Sequence, residues 1–314
     1  MKRYGFSLLA LLIPAAAGAD IFEAASDGDL NKIDEKKDQV HEIDPRSGLT
    51  AWQIATVRGR VEAADLLMHH GADPKLEFPE PAKTLDKLLT HYEKENAPGV
   101  AVLVAKDGEI VLENGYGLAN LESGEKITKD TVFRIGSITK QFAAVATLLL
   151  ADDEKLSVDD KLSKFYPDWP RGDEIALHHL MTHTSGMTSF TSLPNFEPYE
   201  PTTPDEVIAT FRDKDHMFDP GKDWHYCNSG YFLLGEIAEQ VGGKPYPQLL
   251  KERIFDSNKM TKIGAHRPEL KLDNEALGYI RVEEGWGLPE KDWHMSHAGG
   301  AGEFYATLGE LFHW

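Results

Sequence analysis

In the stretch TVFRIGSITKQF, residues 131–142, a serine hydroxyl and a lysine amine stand three positions apart at Ser137 and Lys140. On a helix that spacing puts both on one face, within reach of each other. A serine alcohol is a weak nucleophile until a neighbouring base removes its proton. Lysine can be that base only where burial or positive neighbours lower its pKa. The same residues also fit a plainer role, because a serine at a helix start caps free backbone N–H groups. The spacing alone is cheap: Ser123-Gly124-Glu125-Lys126 repeats it in a polar turn. Ser137 differs in context, lying between a β-rich stretch and an apolar helix whose Ile138, Phe142, Val145, Leu148 and Leu149 are spaced to face a core.

A second group of reactive side chains lies in PGKDWHYCNSGYFLLGEIAEQV, where Tyr226 and Asn228 flank Cys227. A tyrosine hydroxyl held near a lysine can shuttle a proton, and an asparagine amide can hold a substrate carbonyl. Taken alone, Tyr226 reads sooner as a buried tyrosine of a helical lobe. Cys227 is the sole cysteine, so no internal disulfide forms and core packing must hold the fold. His179 and His183, four apart, could hold zinc on a helix, but no third ligand is evident and the following Thr184-Ser185-Gly186 reads as loop. No metal and no cofactor is expected. No GxSxG, HExxH or phosphate-loop pattern occurs.

The elements that must position these residues follow from patterning. Residues 1–19 read as a secretory signal: Lys2 and Arg3, the apolar run FSLLALLIPAAAGA, and the small-residue site Ala17-Gly18-Ala19. The mature chain would then begin at Asp20, in the periplasm or outside the cell, with its formal charge moved from −19 to −21. That charge repels nucleic acid and anionic membranes, and nothing downstream has the length of a membrane span. Residues 20–75 are helical in pattern, with Ala24, Gly28 and Leu30 recurring as Ala55, Gly59 and Val61 at an offset of 31. Residues 76–83, LEFPEPAK, read as a stiff linker. Residues 84–314 form the second domain, beginning with an amphipathic helix, LDKLLTHYEKE, and a hairpin turning at Asp107-Gly108. Beyond Gly136 the pattern is mostly helical, with HHLMTHTSGM and TSLPNFEPYEPTTP read as surface loops, so the fold class is α+β.

The segment DPRSGLTAWQIATVRGRVEAADLLMHHGADP resembles an ankyrin repeat, with Thr50 in the turn, Ala55 and Gly59 on and after the first helix, and Gly71-Ala72-Asp73 in the exit loop. Ala51-Trp52-Gln53 departs from the family's usual Pro-Leu-His. The resemblance implies a small all-α module serving as a spacer or as a surface for a protein partner.

From GVAVLVAKDGEIV onward, about three quarters of the chain resembles the serine β-lactamase-related hydrolases, which include class C β-lactamases, D-alanyl-D-alanine carboxypeptidases and esterases. FRIGSITKQF, HLMTHTSGM, PGKDWHYCNSGYFLLGEIAEQVGGKPY and GAGEFYATLGELFHW carry it. It implies a β-lactamase/transpeptidase-like domain, an antiparallel sheet with a helical lobe, acting on a small-molecule or peptidoglycan-derived substrate. It makes Ser137 the acylated nucleophile, Lys140 its base or proton relay, Tyr226 the proton donor to the leaving group and later an activator of the hydrolytic water, and Asn228 a holder of the acyl group. The Ser137 backbone N–H would form half of an oxyanion hole. In the family a Lys/His-x-Gly strand follows the GAGxxYxT stretch. This sequence stops at Trp314 in the helix after that stretch, so the domain is expected to lack its C-terminal part. His297-Ala298-Gly299 fits the pattern formally but precedes the landmark, and His69-His70-Gly71 falls in the repeat loop; both read as chance matches. The alternative function is a non-catalytic, ankyrin-bearing binding protein with an inactive hydrolase-like domain.

Overall fold

The computed structural model describes residues 20–45, 48–76, 89, 92, 97–267, 269–283 and 285–314. The signal segment, most of the linker and most of the helix expected over LDKLLTHYEKE lie outside the described residues. The chain divides into two compact units, Met1–His91 and Tyr92–Trp314.

The first unit holds two helix pairs, Ile21–Asp27 with Leu30–Glu35 and Ala51–Val57 with Val61–His69. Their starts follow from short polar residues. The Asp20 carboxylate accepts from the Glu23 amide at 2.8 Å, and Thr50 and Gln53 cap each other's backbone reciprocally. The repeated residues occupy equivalent places. Ala24 and Ala55 are both buried, and Gly28 and Gly59 both turn the chain at φ of 80° and 68°. Ile21, Ile33, Ile54 and Leu67 close a small core of their own.

In the second unit, strands Val100–Lys106 and Glu109–Tyr116 pair antiparallel around a turn at Asp107 (φ 53°) and Gly108 (φ 83°), as the Asp-Gly dipeptide predicts. A separate three-stranded antiparallel sheet places Phe304–Ala306 between Phe133–Arg134 and Ile263–Ala265. No sheet of more than three strands occurs among the described residues.

The helical lobe is built on Thr139–Asp152 and Asn228–Gly242, with Leu177–Met181, Pro204–Phe211 and Tyr246–Leu250 around them. Phe142 stacks on Phe304 at 5.0 Å, joining this lobe to the sheet's central strand. The apolar stripe of Thr139–Asp152 is only in part the one expected. Phe142, Ala143, Ala146 and Leu150 are fully buried, whereas Ile138 (43% exposed) and Leu148 (47%) face solvent. Small residues win the buried face because two helices pack closely there. HHLMTHTSGM is also not a surface loop: Leu180, Ser185 and Met187 are buried, and the first part is helical.

Candidate active site

The strand Phe133–Arg134 leads directly to Ser137. The Ile135 amide donates to the Phe304 carbonyl at 2.9 Å, after which Gly136 takes a φ of 50° and turns the chain into a short 3-10 segment, Gly136–Ile138. That left-handed backbone favours glycine. The helix Thr139–Asp152 follows and is tied to the sheet by the Thr139 hydroxyl, which accepts from the Phe304 amide at 3.0 Å. Ser137 does not cap this helix: Ile138 holds the capping position, with no side-chain hydrogen bond to the first turn. The Ser137 Oγ instead accepts from Lys140 Nζ at 3.1 Å and from the Tyr226 hydroxyl at 2.7 Å.

The Lys140 side chain is buried, with 6% of the residue exposed. Its ammonium has three N–H groups and three oxygens to receive them: Ser137 Oγ at 3.1 Å, Asn228 Oδ1 at 2.8 Å and the Ala301 carbonyl at 2.8 Å. Burial nevertheless brings its pKa down from 10.5 to about 8. On losing a proton, the amine can keep the two shorter bonds and turn its lone pair toward the Ser137 hydroxyl. That is the geometry a general base requires.

The Ala301 carbonyl reaches Lys140 because its turn presses against the helix Asn228–Gly242. A side chain at Gly300 would begin 2.4 Å from the Tyr231 carbonyl oxygen, so only glycine permits the approach. Asn228 begins that helix, with Nδ2 donating to Thr191 Oγ1 at 2.8 Å and its backbone amide donating to Ser189 Oγ at 3.1 Å. These bonds fix which end of the amide faces Lys140 and leave a second Nδ2 proton for another acceptor.

All four residues singled out by the sequence, Ser137, Lys140, Tyr226 and Asn228, thus meet at one place. Sequence reasoning passed over Ser189, Thr191 and the Ala301 carbonyl. A Ser/Thr-rich turn carries no mark of its own, and a backbone acceptor has no side-chain signature. The histidines are used for backbone contacts: His179 Nδ1 accepts from the Ala176 amide at 3.2 Å and His183 Nδ1 from the Cys227 amide at 3.1 Å. Among the described residues no group of three or more potential metal ligands occurs. Ser123, the second serine of the repeated spacing, merely accepts from the Glu125 amide in a turn.

Ser137 opens into a cavity of about 360 Å³ whose walls include polar Thr191 and Asn228 and apolar Phe190, Trp293 and Met295. Arg134 and Asp292 also line it as an ion pair, at 2.5 Å. His297 lines the same cavity from a 3-10 turn, Met295–His297, rather than from a strand, and Nε2 is 2.8 Å from the Glu200 carbonyl. The sequence match around His297 is thus no strand motif, although the residue is part of the wall.

A serine, a buried amine and a tyrosine hydroxyl on one oxygen, between an antiparallel sheet and a helical lobe, define a class of protein that comparison makes explicit. Residues 85–314 match the family model for β-lactamase, and the chain belongs to that family. It is 31% identical over 235 residues to PbpX of Bacillus subtilis (strain 168), named for penicillin binding, covering 74% of this chain and 58% of that protein. Penicillin-binding protein 4* of the same organism is 26% identical, with 57% of this chain and 41% of that one covered. The chain therefore spans about half the length of these curated relatives. Among solved structures, the octameric penicillin-binding protein homologue from Pyrococcus abyssi superposes with a TM-score of 0.59 at 32% identity, covering 69% of this chain and 51% of that one. The D-amino acid amidase from Ochrobactrum anthropi SV3, complexed with L-phenylalanine, gives 0.62 at 26% identity, covering 72% and 67%.

Proposed function

We propose that the protein is an exported serine hydrolase that works through an acyl-enzyme on a β-lactam, a D-Ala-D-Ala peptide or an ester. The observation that carries this reading is the Ser137 Oγ held at 3.1 Å from Lys140 Nζ and 2.7 Å from the Tyr226 hydroxyl. Neutral Lys140 takes the Ser137 proton as Oγ bonds to the acyl carbon. The resulting oxyanion lies at the Ser137 backbone N–H, one of the first amides of a helical segment, which have no intrahelical partner. As the acyl–leaving-group bond breaks, the Tyr226 hydroxyl protonates the departing atom and is recharged through Ser137's former proton on Lys140. Water then attacks the acyl-enzyme with Tyr226 assisting its deprotonation, and Asn228 Nδ2 steadies the acyl group.

Related proteins named for penicillin binding and for D-amino acid amide cleavage support an amide-like substrate. The first unit is read as an ankyrin-like module offering a surface to a protein partner, supported by its two helix pairs and the equivalent Gly28 and Gly59. A periplasmic or secreted location rests on the sequence of residues 1–19. Among the described residues no helix is long and apolar enough to cross a membrane.

The test is to incubate the protein with a fluorescent penicillin and, separately, an activated ester, and to locate the label by peptide mapping. A covalent adduct on Ser137 is expected. No adduct with either probe would favour the non-catalytic binding-protein reading, and an adduct on another residue would refute the assignment.

A further inference from the structure

His183 sits in a turn that holds the irregular segment carrying Tyr226. Four N–H groups of that segment and its approach end on this turn: Met217 on the Gly186 carbonyl (2.8 Å), Gly221 on the Thr184 carbonyl (2.8 Å), His225 on the His183 carbonyl (3.0 Å) and Cys227 on His183 Nδ1 (3.1 Å). The last two flank Tyr226 on either side. The imidazole ring also lies 4.5 Å from the Tyr226 ring at 35°, with the Tyr231 ring 5.1 Å away on the same imidazole. His183 holds a left-handed φ of 60°, which a non-glycine residue rarely adopts without a compensating role.

We propose that His183 is a positioning residue for Tyr226, gripping the backbone on both sides of it and bracing its ring so that the hydroxyl meets Ser137 Oγ. The proposal rests on the reading of Tyr226 as the proton donor given above. An Nδ1 that accepts from Cys227 requires the neutral tautomer with hydrogen on Nε2. Burial, followed by the charge of Lys140, keeps the His183 pKa below the ordinary histidine value and so favours that form. Without the Nδ1 contact, residues 225–227 lose one of the two anchors that flank Tyr226. A phenol displaced by about 1 Å from a reacting oxygen costs on the order of 100-fold in rate.

The experiment compares His183→Gly and His183→Asn with wild type in the whole chain, using an activated ester for kcat and KM and a fluorescent penicillin for acylation of Ser137. Glycine accepts a φ of 60° and keeps the carbonyl, so His183→Gly removes only the ring and its acceptor. Asparagine tolerates the same backbone and carries Oδ1 the same number of bonds from Cα as Nδ1. His183→Gly is expected to lower kcat about 100-fold with KM changed less than about threefold, and His183→Asn to recover most of that loss. Amide exchange at Cys227 should be fast in His183→Gly and slow in wild type and His183→Asn. Equal kcat in the two variants, or a loss confined to KM, would overturn the proposal. Should wild type itself be inert to both probes, the hydrolase reading fails separately, and unchanged Cys227 exchange in His183→Gly would then refute the clamp.

Discussion

Acylation of Ser137 should follow the ionisation of Lys140. With the amine's pKa at about 8, roughly one molecule in ten holds it neutral at pH 7 by simple titration. At the unperturbed 10.5 the neutral fraction would be about 0.03%. Burial of this one side chain therefore raises the population of competent base about 300-fold at neutral pH. The sign is fixed, because the base acts only when deprotonated: the acylation rate should climb about tenfold per pH unit from pH 6 and level off above about pH 8 to 9. The assay is the initial rate of fluorescent-penicillin incorporation into Ser137 across pH 6 to 10, read by gel fluorescence. Lys140→Ala should abolish the pH-dependent rise. Lys140→Arg should do the same although it keeps the charge, because guanidinium does not deprotonate in this range. A rate flat from pH 6 to 9, or one still climbing steeply through pH 10, would refute the assignment of Lys140 as base.

Other outcomes follow from the same geometry. Ser137→Ala should reduce turnover by about 10⁴-fold or more while costing only about 1 kcal/mol of stability, because the hydroxyl caps nothing but accepts from Lys140 Nζ and the Tyr226 hydroxyl. Ser123→Ala, measured alongside it, should leave the rate unchanged. Tyr226→Phe should keep the ring against His183 and the wild-type melting temperature, yet lose about 10²-fold or more in turnover. Glu236 makes a prediction about stability. Burial, then the carboxylates of Glu239, Glu303 and Asp205, push its pKa from 4.5 up to about 7. The folded state therefore binds this proton more tightly than the unfolded chain, so the associated stability is present below pH 4.5 and lost as pH rises through 7. Glu236→Gln should raise stability at pH 8 by about 1–2 kcal/mol after allowance for solvent screening, seen as a higher melting temperature, and change little near pH 4. Thermal scans at the two pH values check it, and an equal shift at both would contradict the cause given.

How much could be read from the sequence divides along physical lines. The convergence of Ser137, Lys140, Tyr226 and Asn228 was legible because side chains with strong chemistry stood in recognisable contexts. The hairpin at Asp107-Gly108 was legible because two consecutive left-handed residues demand such a dipeptide. The stripe of Thr139–Asp152 was read only in part: Phe142 is buried and Val145 and Leu149 pack against the core, but Ile138 and Leu148 are exposed, because leucine and isoleucine outweigh alanine in any hydrophobic pattern. Close helix packing instead selected Ala143 and Ala146 for the interior. The turn around His183 was read as surface because its Thr, Ser and Gly residues look like loop. What buries it are the amides of residues 217–227, distant in sequence and silent in any local pattern. The Ala301 carbonyl escaped for the same reason, since a backbone oxygen belongs to every residue alike.

The position of Cys227 has a practical consequence. The single thiol is buried between Tyr226 and Asn228, and its Sγ lies 3.4 Å from the Met187 carbonyl. Burial pushes its pKa upward, so the native chain holds almost no thiolate at neutral pH. A thiol reagent should therefore modify the folded protein only when the segment between the His183 turn and the helix Asn228–Gly242 opens. The labelling rate becomes a clock for that opening, and its ratio to the rate in denaturant gives the free energy of the local excursion. Because the sequence has no second cysteine, the clock reports on the single stretch of chain that carries Tyr226. A cysteine placed at exposed Trp224, whose ring lies 6.0 Å from that of His183, would label quickly and supply a reference rate for the same segment.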